Sequence, residues 1–135
     1  MLIKNKTKSV SSSKDAADVF KAVLAMRGEE DQHKECFYVM GLNSQNTVLY
    51  IDLIAIGTVN RCTPEIREAM RQALIKNAAG IIVCHNHPSG DTEPSREDDD
   101  FTTKLEQACN VLGVKLLDHL ILGDNYYSFS DNGRV

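Results

Sequence analysis

Residues 35–59, ECFYVMGLNSQNTVLYIDLIAIGTV, constrain the fold more than any other stretch of the chain. Aromatic and β-branched residues dominate it, and the polar NSQN breaks it once. Two such runs around a short polar interruption read as a β-hairpin. AAGIIVCH (78–85) is a shorter apolar run, suited to a buried central strand. VKLLDHLILGDNYYSFS (114–130) reads as two more strands around a GDN turn.

Helical patterns alternate with these strands. Ala16, Val19, Phe20, Val23 and Leu24 recur with helical period behind SVSSSKD, and Gly28 is the predicted stop. A second helix is predicted with Thr63 as N-cap, Pro64 in the first helical position and Glu65 in the first turn. Ile66, Ala69, Met70, Ala73 and Leu74 form its buried stripe. A third runs from Ser95 to Leu112, with Phe101, Leu105, Ala108 and Leu112 on one face and Gly113 ending it. The order helix, hairpin, helix, strand, helix, strands predicts an α/β fold of two or three layers, a mixed β-sheet flanked by helices. The 135 residues suit one domain with one core, with residues 1–10 as a flexible tail.

Charge and cysteines bound the setting. A net charge of −4 argues against a general nucleic-acid binder. Lys4, Lys6, Lys8 and Lys14 make the N-terminus locally basic and read as solvated. MLIKNKTKSV (1–10) lacks the apolar core of a signal peptide. No apolar run approaches the roughly 20 residues of a membrane span. Cys36, Cys62, Cys84 and Cys109 form no C-x-x-C pair and read as reduced, buried thiols. The expectation is a cytoplasmic protein with no membrane partner.

The chemistry concentrates in CHNHPSGDTEPSREDDDF (84–101). His85 and His87 stand at i and i+2 as a strand ends, so both imidazoles share one face. Cys84 and Asn86 face the other way. A carboxylate from the following helix would complete three ligands, the number that catalytic zinc takes while keeping a position for water. Asp98, Asp99 and Asp100 project about 100° apart, so at most one faces the histidines, and spacing alone does not say which. The same residues have a plain structural reading. SRED (95–98) is a capping box, and acids suit a first helical turn. The two roles are expected to compete at Asp98.

His85, His87, Ser95 and Asp98, as H-x-H, seven residues, Ser, two residues, Asp, match the JAMM motif of MPN-domain metallopeptidases. HNHPSGDTEPSREDD with LLDHLILGD resembles the C-terminal JAB domain of bacterial RadC-like proteins, over about Glu35 to Val135. The resemblance implies a fold similar to cytidine deaminases, with His85, His87 and Asp98 as zinc ligands. It implies Ser95 as the oxyanion donor and an upstream glutamate as general acid/base. Glu35 aligns with that glutamate. Glu29, Glu30 and Asp31 stand nearby, but Glu35 sits at the mouth of the apolar strand. The implied activity is a zinc-dependent hydrolase of metallopeptidase or isopeptidase type, acting on a peptide or protein. The family's label is DNA repair. Its helix-hairpin-helix region is not expected in this chain, which shows no G-x-G hairpin signature.

The alternative is a DNA-repair-associated or protein-interaction module whose metal is structural or vestigial. HNH here is too compact for the nuclease motif of that name. A zinc deaminase needs H-x-E and P-C-x-x-C, which are missing. His119 is expected to support the site rather than bind metal, with Asp118 orienting a ring nitrogen. His33 reads as an exposed turn residue, while Asn86 and Ser89 are candidates to line the cleft.

Overall fold

The structure, a computed structural model, describes residues 2–3, 9–57 and 64–135. Its elements run β1 (Leu2–Ile3), α1 (Ser13–Ala25), α2 (Glu29–Gln32), β2 (Cys36–Leu42), β3 (Val48–Ile56), α3 (Ile66–Ile75), β4 (Gly80–Asn86), α4 (Arg96–Leu112), β5 (Lys115–Leu122) and β6 (Tyr126–Ser128). The sheet order is β1-β3-β2-β4-β5-β6. β2–β3, β2–β4 and β5–β6 are antiparallel, while β4 and β5 are parallel and joined through α4. The predicted mixed sheet and α/β class hold.

Alternation along the strands builds three layers. Tyr38, Met40, Leu42, Ile82, Cys84 and Leu120 meet Ala16, Phe20 and Val23 of α1 on one face. Phe37, Val39, Ile81, Val83 and Leu116 meet α3 and α4 on the other. β2 and β4 are buried along their whole length, as interior strands covered on both faces are. Gly41 pairs with Tyr50, and a Cβ there would lie 2.0 Å from the Tyr50 ring. Glycine is what lets that ring pack against the backbone.

A bulge in β5 sets which residues reach the α4 face. Ile81 pairs with Leu116 but Ile82 with Asp118, so Leu117 is extra. After it the phase reverses. His119 pairs with Val83 and faces α4, and Leu120 turns to α1.

Several boundaries differ from expectation. The N-cap predicted at Thr63 lies outside the described residues, as do Cys62, Lys4, Lys6 and Lys8. α3 starts at Ile66 behind Glu65, which makes no side-chain cap bond, so Pro64 precedes the helix. Leu74 and Leu112 sit past the turns that touch the sheet and are half-exposed; the buried stripe of α4 is Thr102, Leu105 and Cys109. α1 ends at Ala25 with Met26 as C-cap, ahead of Gly28. Of residues 1–10, those described make contacts: Leu2–Ile3 pairs with β3, Ser9 bridges Thr47, and Val10 joins the α1-side core. Among the described residues no helix is long and apolar enough to cross a membrane. Cys36, Cys84 and Cys109 are buried.

Candidate metal centre

β4 carries His85 at its end on the α4 face, His87 follows just after the strand, and the start of α4 brings Asp98 to both. Ser95 caps that helix: its hydroxyl accepts from the Asp98 N–H at 3.1 Å, and Asp98 Oδ2 accepts from the Ser95 N–H at 2.9 Å. The box fixes the Asp98 carboxylate toward the strand end. Oδ1 lies 3.1 Å from His85 Nε2, and Oδ2 lies 3.4 Å from His87 Nε2. The two Nε2 atoms are 3.1 Å apart. One ligand atom from each of the three residues falls within a 4.8 Å cluster. Such a cluster, two imidazoles and one carboxylate from two rigid elements, could hold a metal ion.

Both expected roles meet at Asp98. A carboxylate has two oxygens with several acceptor sites, so Oδ2 serves the cap while Oδ1 faces His85. Burial alone would raise the Asp98 pKa, but hydrogen bonds with His85 and His87 outweigh it and hold the carboxyl well below the ordinary range. His87 is displaced upward, chiefly by its hydrogen bond with Asp98. Asp99 turns away to pair with Arg134, and Asp100 is exposed.

Residues 10–134 match the RadC-like JAB domain model. The chain belongs to the RadC-like JAB domain family. Among its relatives is a UPF0758 protein of Actinobacillus pleuropneumoniae (serotype 5b, strain L20), 42% identical over 112 residues, which are 82% of this chain and 51% of that protein. Another, from Streptococcus sanguinis, is 46% identical over 102 residues, 75% of this chain and 45% of the relative. A third, from Clostridium acetobutylicum, is 40% identical over 127 residues, 93% and 53% respectively. The chain thus spans about half the length of these relatives.

Within this RadC-like JAB domain, Glu35 lies outside the ligand cluster, at the mouth of β2. The ladder between β2 and β4 ends where Phe37 pairs with His85, and Glu35 lies two residues before Phe37. Its charge contributes to the rise in the His87 pKa. Asn86 holds this segment: Oδ1 accepts from the Cys36 N–H at 2.7 Å, and Nδ2 donates to the Lys34 carbonyl at 2.9 Å. The Glu35 carbonyl accepts from the Gly57 N–H at 2.8 Å. Beside His87, a cleft of about 460 Å³ is lined by Asn86, Pro88, Gly90, Lys21, Leu24 and Leu122, among others.

His119 is fully buried, with Nε2 3.0 Å from His85 Nδ1 and Nδ1 2.6 Å from Thr102 Oγ1. It supports His85, as expected. Asp118 does not orient a ring nitrogen. The bulge puts it on the opposite face, where it accepts from the backbone N–H groups of His119 and Ser130 and from the Ser128 hydroxyl. The ring partner is Thr102, which sequence reading missed. Its signal was position: one helical turn after Asp98, on the same face of α4. Phe37 also escaped notice; its ring stacks on His85 at 5.5 Å. His33 is exposed, as predicted.

Proposed function

We propose that this domain is a zinc-dependent hydrolase of the JAMM type, a metallopeptidase or isopeptidase acting on a peptide or protein. The observation that carries the reading is the convergence of His85, His87 and Asp98 beside a capped helix start. Two histidines and one carboxylate form the donor set of a catalytic zinc site that keeps a position open. Zinc held there supplies a Lewis acid that polarises an amide carbonyl and acidifies water.

The chain's own groups divide the remaining work. Glu35, whose charge acts on His87, accepts the proton of the attacking water and returns it to the leaving amine. Among the described residues the Ser95 hydroxyl accepts the cap bond from Asp98 and donates to none, so its own hydrogen remains to donate to the developing oxyanion. The buried cysteines Cys36, Cys84 and Cys109 favour a reducing, cytoplasmic setting. The balance of −4 makes nucleic acid a poor partner for this domain.

The test is metal analysis of the purified protein with cleavage of a quenched-fluorescence peptide library. One zinc per chain, with cleavage lost on chelation and restored by zinc, supports the reading. Glu35→Gln should keep the zinc and lose cleavage. A zinc-loaded protein that cleaves nothing, with cellular function unchanged by Glu35→Gln, would instead fit an interaction module with a structural metal.

A further inference from the structure

We infer that Thr102 is a positioning residue for metal binding: through His119 it sets which nitrogen of His85 is free to bind. The inference rests on reading His85, His87 and Asp98 as metal ligands, and follows from a chain of hydrogen bonds with one unambiguous end.

That end is the backbone carbonyl of Asp98, which can only accept. Thr102 Oγ1 donates its single hydrogen to it at 2.7 Å. A hydroxyl that has spent its hydrogen can only accept from its other neighbour. His119 Nδ1, 2.6 Å away, must therefore carry a proton and donate it to Thr102. His119 Nε2 is then bare and accepts from His85 Nδ1 at 3.0 Å. With its Nδ1 proton engaged by His119, His85 has Nε2 left for a metal, which there takes the place of the proton that Nε2 shares with Asp98 and His87 in the metal-free protein. His87 reaches the same state more directly, donating from Nδ1 to the Asp91 carbonyl at 2.7 Å.

The relay joins three elements. It starts on α4, crosses to β5 through His119, and ends on β4, so the helix that supplies Asp98 also sets the tautomer of the ligand it faces. Thr102 and His119 are 4% and 0% exposed, so water does not substitute for either partner. Threonine is required for direction. Valine has nearly the same shape but no oxygen, leaving His119 Nδ1 without a partner. The favoured alternative places the His119 proton on Nε2, donating to His85 Nδ1. That forces the His85 proton onto Nε2, where it blocks the metal.

The experiment has two arms. Zinc affinity is measured by competition with a chromophoric chelator for wild type, Thr102→Val and Thr102→Ser, each checked by thermal melt. The expected result is a loss of about 10- to 100-fold in Thr102→Val, the range for groups that orient a ligand, with recovery in Thr102→Ser. Equal affinity in wild type and Thr102→Val, whatever the melting temperature, means Thr102 only packs and overturns the inference. In the second arm, ¹⁵N NMR of the metal-free protein reads the His119 tautomer. Wild type should carry the proton on Nδ1; a proton on Nε2 overturns the inference. If wild type takes up no zinc, the hydrolase reading fails, and the NMR arm still decides the relay.

Discussion

Asn86 forms a side-chain rung between β4 and the segment before β2, accepting the Cys36 N–H and donating to the Lys34 carbonyl on either side of Glu35. The strand ladder between β2 and β4 ends at Phe37 and His85. The amide of Asn86 carries the pairing further with the same donor and acceptor that a peptide group would offer. One strand step therefore sends His85 and His87 to the candidate metal cluster while the residue between them holds the segment of the proposed base.

Asn86→Ala should separate these functions. It strands a buried backbone N–H, a loss of about 1–3 kcal/mol in stability, readable in urea unfolding. Zinc content should stay at the wild-type level, because the ligands face the other way. Cleavage should fall, because Glu35 is released. Asn86→Asp should do no better, since a carboxylate cannot donate to the Lys34 carbonyl. Loss of zinc from either variant would show that Asn86 serves the ligands instead.

Ser95 carries a cap and, in the proposed mechanism, an oxyanion contact. Ser95→Ala should cost about 1 kcal/mol through the lost cap. The Ser95 N–H still binds Asp98 Oδ2, so zinc uptake should survive. Turnover should drop by about 10²–10³ if the hydroxyl meets the oxyanion. Ser95→Thr should recover both. A turnover loss no larger than the cap loss predicts would leave Ser95 as a cap alone.

Much of this was legible in the sequence because it depends on local pattern. The hairpin followed from two apolar runs around NSQN, and the pair His85 and His87 from the two-residue period of a strand. Ser95 and Gly113 marked both ends of α4, where a side-chain cap and a left-handed residue with φ of 74° now stand. Asp98 was singled out by motif, since a helical repeat does not distinguish three consecutive aspartates. What escaped depends on long-range register. Strict alternation from Leu116 points Asp118 at α4, and only the extra Leu117 brings His119 there. Thr102 reads as an ordinary helix residue until His119 lies over it. Leu74 and Leu112 fit their stripes, but the helices outrun the sheet that would cover them.

The contact between Gly41 and Tyr50 gives a test of the fold remote from the cluster. Gly41→Ala places a methyl group 2.0 Å from the Tyr50 ring, which is fully buried. Overpacking of this kind costs about 1–3 kcal/mol. In the background of Tyr50→Leu the same substitution should cost less, giving a coupling energy in a double-mutant cycle. Zinc affinity should be the same in all four proteins. Additive losses would mean that the ring is free to move.

The Asp98 cluster should also give the metal-free protein a distinctive pH profile. Burial opposes the Asp98 charge, but His85 and His87 more than offset it, so its folded pKa lies well below the ordinary value. A depressed carboxyl stabilises above its unfolded pKa near 3.9 and loses that contribution as pH falls. His87 is raised, so its contribution is full below about pH 6.5 and fades as pH climbs through its folded value. The two overlap between about pH 4 and 6.5. His119 works in the opposite direction: burial first, then His85, lower its pKa, so it destabilises the fold at acid pH. Wild type compared with Asp98→Asn isolates the first two groups. In chelated protein the stability gap should be widest inside that window and narrow on both sides. With zinc the trend should reverse across pH 5 to 7, because the metal competes with protons for the same imidazoles. A gap that is flat with pH in chelated protein would show that Asp98 and His87 do not share charge, and the case for a common metal would lose its electrostatic basis.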